Sequence, residues 1–427
     1  MGKYLVPLTM MLAMTAFATA ALLVGFVPGH PAWWRAAVPL AVLGGITPMI
    51  YAVNIRIVPV FARRPWRNHH LLRLQVALLI VGAWLVCAGR LTSGAWILLI
   101  GSSLCLASGL VFTVNIVRLF HQIPTTPPPP LPFSNQAIID RLAVQFTRWA
   151  GIYLLVGLSV GVITSRWQPR QGRWDLVWAH AMLVGFFLSM AAGTSYHVLS
   201  RWTGRPWRRI WPIRLHLFLM SVGLPIMLLA LATGWNTLFM IAGPLQAAAL
   251  VLFLTTAAPL AVGLPKLSRW AVALAGALLV TGVGLGASFA IEPVLGAQLR
   301  LVHAEINLFG WAGLLISGMG FYLAPRLAGR PLKWPRLALV QLGLLVGGVA
   351  LGAVVLFLRA YGHESRTALM GAQALVAGGF ILFGGLIGAT FFLETPRAST
   401  ANVAAVQIGG APRPPVSSLT IFQDEKG

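Results

Sequence analysis

The sequence predicts an all-α polytopic membrane protein of about twelve transmembrane helices, arranged as three pseudo-repeated four-helix units with both termini in the cytoplasm. Three observations carry this. Of 427 residues, 58% are hydrophobic and 9% charged, with mean hydropathy +0.82, whereas soluble domains carry roughly 25% charged residues. Apolar runs of the roughly 20 residues that cross a bilayer recur along nearly the whole chain. They are continuous rather than alternating, which selects a helix bundle over a barrel.

The first run, at 4–27, follows Lys3 and carries Ala18-Thr19-Ala20, the outline of a signal peptide; a retained first helix is expected. The second, 36–61, closes on Arg63-Arg64-Pro65, and 71–90 and 93–119 complete a unit spanning 1–120. Residues 121–138 form a Pro-rich cytoplasmic linker, stiffened by polyproline geometry. Runs at 139–164, 175–200, 213–232 and 235–259 make a second unit, 139–260. Runs at 268–290, 299–325, 336–360 and 365–393 make a third, 261–394. The polar, Ser/Thr/Pro-containing tail at 395–427 is expected to be disordered.

Charge fixes the orientation. Loops after even-numbered spans, with both termini, hold 21 Lys and Arg, against 8 on the opposite side. Positive-inside sorting therefore places that face in the cytoplasm, as in a bacterial inner (plasma) membrane protein. The formal net charge of +23 reflects these loops and not nucleic-acid binding, since no basic stretch accompanies a folded polar domain. Cys87 and Cys105 lie in apolar runs without a CxxC or neighbouring His and are expected to be buried small hydrophobes.

Internal repetition sharpens the organisation. Residues 176–206 align without a gap to 301–331 at an offset of 125, with ten identities. The second span joins at an offset of 141: Gly44/Gly185/Gly310, Arg64/Arg205/Arg330 and Pro65/Pro206/Pro331 fall in register. Each second span of a unit thus begins outside and ends inside at an Arg-Pro turn.

Intramembrane polar groups are few. Of eight acidic residues, Asp140 and Asp175 lie at span ends and only Glu305 falls well inside a helix, where an ionisable group is costly and faces the bundle interior. Among nine histidines, His30 and His363 fall in external loops and His69, His70 and His121 in internal ones. His197 and His216 sit near cytoplasmic helix ends, where packing or backbone hydrogen bonding explains them. His180 and His303 remain, each about one turn into the outer end of its span, roughly 6–8 Å deep. Neutral imidazole ligates haem iron or copper, so the two suggest one shared outer-leaflet site; two interhelical hydrogen bonds are the open alternative. His303 and Glu305, two residues apart, point to nearly opposite faces.

The tenth span reads His303-Ala304-Glu305, then Asn307, Gly310-Trp311, Gly318, Pro325 and Gly329. With twelve spans in three four-helix units, this resembles the catalytic subunit of haem-copper oxidases and nitric oxide reductases, and the NnrS-type membrane haem proteins. Asn54 to Pro59, at the exit of the second span, echoes the same family. The resemblance implies a haem b with His303 as axial ligand of the substrate-binding iron. His180 would lie near the copper-ligand position, for copper or another second metal, with His216 as a further metal-ligand candidate. Glu305 would tune the site or relay a proton, and Trp178 and Trp311 would flank the porphyrin. Ala36 and Ala37 stand where the family's low-spin haem ligand would be, and Glu305 replaces the second histidine of the tenth span. The implied chemistry is binding or reduction of a small diatomic, NO or O2, with electrons from cytochrome c or another donor of the respiratory chain. Proton pumping is not expected, because the inner halves offer little beyond Tyr196, Tyr322 and a few Thr and Ser. Two rival expectations are a cofactor-free anchor or assembly subunit of a respiratory complex, and a transporter coupled through Glu305 and His303. Threefold repetition argues against the transporter.

Overall fold

The computed structural model describes residues 4–26, 31–128, 130–167 and 171–393. Lys3, His30 and the tail expected at 395–427 lie outside the described residues. Residues up to Phe391 form one helical unit, and Phe392 begins a second. Among the described residues there is no strand.

Twelve helices are long and apolar enough to cross a membrane: α1 (Leu5–Phe26), α2 (Trp33–Ala62), α3 (His69–Thr92), α4 (Ala95–Phe120), α5 (Gln136–Arg166), α6 (Arg173–Thr203), α7 (Trp211–Thr233), α8 (Asn236–Ala261), α9 (Lys266–Ile291), α10 (Pro293–Ala328), α11 (Pro335–Ala360) and α12 (Arg366–Phe392). The chain is a multi-pass membrane protein. Boundaries differ from the sequence expectation where local chemistry starts a helix early. Asn68 caps α3 by accepting from the His70 and Leu71 amides at 2.9 and 3.2 Å, which draws His69 and His70 out of a loop into the first turn. Pro293 at the first position of α10 lengthens that helix by a turn and a half, because proline costs nothing where the N–H has no helical partner.

The second helix of each four-helix set is built alike. α2, α6 and α10 are the most buried helices. Each contains a π-helical segment, Leu40–Ile46, Ala181–Leu188 and Ile306–Ala312, beginning 141 and 125 residues apart. A π turn inserts a residue, unwinds the helix locally and re-aims the side chains above it. Each helix then stops at a left-handed residue in the same register: Arg63 (φ 54°), Gly204 (65°) and Gly329 (63°). The arginine that follows has a structural task. Arg64 donates to the Phe120 carbonyl at the end of α4 (2.9 Å), and Arg205 to the Pro259 carbonyl near the end of α8 (3.0 Å), placing a cation where helix C-terminal carbonyls are concentrated. The linker begins docked beneath the α2 exit, with the Thr125 amide donating to Arg63 O at 2.9 Å and Arg63 Nη1 to Thr126 O at 2.6 Å.

Close helix approach depends on Gly185 in the π segment of α6, where a Cβ would stand 2.5 Å from the Tyr153 ring of α5. Gly185→Val is expected to cost at least about 1–3 kcal/mol by overpacking, read as a lowered thermal midpoint in detergent. An unchanged midpoint would show that α5 and α6 can separate there without loss.

Candidate functional site

The outer half of α6 packs on α5 and α7, and that of α10 on α9 and α11. α6 and α10 meet each other through ring pairs at three depths: His180 with His303, Phe187 with Trp311 at 4.8 Å, and Trp202 with Tyr322 at 4.9 Å. The uppermost pair is the candidate site. The two imidazoles are half-buried, their planes are 18° apart and their centroids 6.4 Å apart. That is too far for direct ring contact.

Each ring is anchored through Nδ1. His303 Nδ1 lies 2.9 Å from the Gly282 carbonyl of α9, and His180 Nδ1 lies 2.9 Å from the Leu176 carbonyl one turn earlier in α6. A carbonyl accepts only, so Nδ1 carries the hydrogen in both rings and Nε2 keeps its lone pair. A backbone carbonyl fixing the tautomer this way is the usual support of a ligating histidine. His303 is held more firmly: Asn307 Nδ2 donates to its carbonyl at 2.8 Å, Phe289 meets its ring edge-on at 5.6 Å, and a Cβ at Gly286 would stand 2.9 Å from its Cε1. A space kept open by glycine therefore receives the imidazole.

These residues fit a metal held between two imidazoles. With metal–nitrogen bonds of about 2 Å, two rings on opposite sides of one ion need centroids about 6 Å apart, close to the separation seen. Among the described residues no group of three or more His, Cys, Asp or Glu converges, so a tetrahedral all-protein site is not formed by them. A pair of imidazoles with no third protein donor among the described residues would suit a macrocycle that brings its own nitrogens.

The remaining sequence candidates separate. Trp311 is buried against Phe187 below the pair. Trp178 packs against Gly161 of α5, where a Cβ would stand 3.3 Å from its Nε1, and lines a cavity on another side of α6. His216 lies at the cytoplasmic end, hydrogen-bonded to Tyr196 Oη at 2.8 Å among Phe146 and Phe253. Tyr196 is sixteen residues beyond His180 on α6, about 24 Å along the axis, so His216 does not join the pair. Glu305 is fully buried on the opposite side of α10 from His303, as their spacing predicts. Its Oε1 accepts from Gln373 Nε2 of α12 at 3.0 Å, while Oε2 has no protein partner. The groups that sequence reasoning missed are Gly282, Gly286 and Gln373, and Asn307 was quoted in the tenth span without a role. Gly282-x-x-x-Gly286 spacing was the available signal for the first two; Gln373 is 68 residues from Glu305 and left none.

No protein-family model matches the chain, and no curated protein sequence matches it significantly. Among solved structures, a haem-copper terminal oxidase determined as a dimer by cryo-EM superposes with a TM-score of 0.62 over 93% of this chain and 85% of that one, at 14% identity. The fold is shared with a haem-copper oxidase. At that identity the likeness concerns helix arrangement, and the twelve-span architecture inferred from composition is the architecture observed.

Proposed function

We propose that this chain is a haem-binding membrane protein of the haem-copper oxidase type, holding one b-type haem in the outer half of the bilayer between His303 and His180. The observation that supports it is the pair of near-parallel imidazoles, each tied through Nδ1 to a backbone carbonyl so that Nε2 keeps its lone pair. When bound, the haem supplies an iron able to take NO or O2 and pass an electron to it. His303 would hold the iron from α10, and His180 would be the second candidate to hold it, from α6. Trp311 and Phe187 form the apolar floor that shields the site from the inner half. Glu305, on the other side of α10, tunes the helix that carries His303.

Electrons come from a separate cytochrome or comparable donor, and the setting is a bacterial inner membrane. No proton pumping accompanies the reaction. A copper or other second metal would need His180 without His216, which the fold keeps at the other end of the helix pair. An optical spectrum of the detergent-purified protein with metal analysis tests the reading: a Soret band and about one iron per chain are expected. A colourless, iron-free protein from haem-replete cells would sink it in favour of an anchoring or assembly subunit.

A further inference from the structure

The segment joining α4 to α5, residues 121–135, reads His-Gln-Ile-Pro-Thr-Thr-Pro-Pro-Pro-Pro-Leu-Pro-Phe-Ser-Asn. None of its described residues belongs to a helix or strand. Connections beyond about 12–15 residues without secondary structure are uncommon and usually have a task of their own. Each proline fixes its φ at roughly −65° and pushes the residue before it to extended backbone. The sequence at 127–132 therefore favours polyproline II, a helix without internal hydrogen bonds.

Both ends of the segment are fastened to the protein. At the α4 end the Thr125 amide and hydroxyl donate to Arg63 O at 2.9 and 3.0 Å, and Arg63 Nη1 donates to Thr126 O at 2.6 Å. At the α5 end Asn135 Nδ2 donates to Trp207 O at 2.7 Å. The segment is thus a strap held between the exits of α2 and α6. Between these anchors Pro127, Pro128, Pro130, Leu131 and Pro132 are exposed, and Ile123 beside them is 88% exposed. A spacer needs anchors and stiffness but has no use for apolar side chains turned outward. A preformed polyproline ridge loses little conformational entropy on binding and fits grooves lined by aromatic rings. The bilayer is a poorer host, because polyproline carbonyls have no internal donors and hydrocarbon supplies none. Charge adds direction: Arg67 is exposed just beyond the first anchor, and Arg208 and Arg209 are exposed next to Trp207 at the second.

We propose that this strap is a docking site, on the basic face of the protein, for a protein domain with an aromatic-lined groove edged by acidic side chains. Pro127, Pro128, Pro130 and Leu131 supply the ridge that enters the groove. Arg67, Arg208 and Arg209 meet its acidic rim, which steers the approach and fixes the register. The surface is independent of haem at the histidine pair.

The test titrates the full-length protein in nanodiscs with three purified domains that read polyproline through aromatic grooves: an SH3, a WW and an EVH1 domain. Saturable binding of at least one is expected, displaced by a soluble oligoproline. Pro128→Ala/Pro130→Ala, which leaves both anchors in place, is expected to weaken binding at least tenfold at an unchanged thermal midpoint. Arg208→Glu/Arg209→Glu is expected to weaken it and to flatten its salt dependence. A spin label at Leu131→Cys is expected to be relaxed by an aqueous nickel chelate in the same nanodiscs. Failure of all three domains to bind, or binding that survives the proline substitutions, overturns the proposal. A label shielded from the chelate and reached by oxygen in the lipid also overturns it, and assigns the strap to the membrane surface.

Discussion

Replacing His303 by alanine is expected to abolish the Soret band and reduce bound iron at least tenfold, whereas His180→Ala is expected to retain haem and change its spectrum to that of a five-coordinate iron. The asymmetry follows from the supports. His303 is tied across to α9 through Gly282, braced by Phe289 and backed by Asn307. His180 is anchored only within its own helix turn, at Leu176, so on the proposed reading it would be the ligand that yields to an incoming diatomic. His180→Ala should therefore also accelerate binding of NO or CO to the reduced protein, since no imidazole has to leave first. Gly286→Val presses a branched side chain onto the His303 ring, whose Cε1, Nδ1 and Nε2 stand 2.9, 3.3 and 3.8 Å from a Cβ built there. A supporting residue of this kind is worth about 10–100-fold in metal affinity, read as haem loss to apomyoglobin. Equal spectra for His180→Ala and the unmodified protein would remove His180 from the iron, and a Soret band surviving His303→Ala would remove the site altogether.

The fold was legible because its determinants are local and summed over long stretches. Twelve apolar runs, the Arg-Pro exits and the Lys/Arg bias each average over many residues, and bilayer burial leaves few alternatives to helices. The repeat register extended further than the identities suggested, since π segments and left-handed exits recur at the same offsets. The site was legible only in part. His180 and His303 stood out because intramembrane histidines are scarce. Their tautomers depend on carbonyls of Leu176 and Gly282, and no side chain marks a carbonyl in a sequence. Trp178 illustrates the limit. Its place near the outer end of the span, with the family resemblance, suggested a porphyrin flank, yet the two residues between it and His180 turn a helix by about 200°, and the indole faces the interface on the other side of α6.

Glu305 and Gln373 provide the second large effect, because both side chains are fully buried and each is the other's protein partner. Glu305→Leu strands the Gln373 amide, and Gln373→Leu strands the Glu305 carboxyl; leaving a buried group unmatched costs about 1–3 kcal/mol, more for a charged one. Both single variants are thus expected to unfold at lower temperature, Gln373→Leu the more so. Removing both polar groups together can be nearly neutral, so Glu305→Leu/Gln373→Leu is expected to recover most of the loss. The recovery separates structure from function. If Glu305 serves only to match Gln373 across α10 and α12, the double variant regains its thermal midpoint and its NO- or O2-consuming rate together. If Glu305 tunes the helix bearing His303 or relays a proton, as proposed, the midpoint recovers while the rate remains depressed and the haem potential stays shifted. A double variant restored in both respects would reduce Glu305 to a packing residue and leave the His180–His303 pair as the whole of the chemistry.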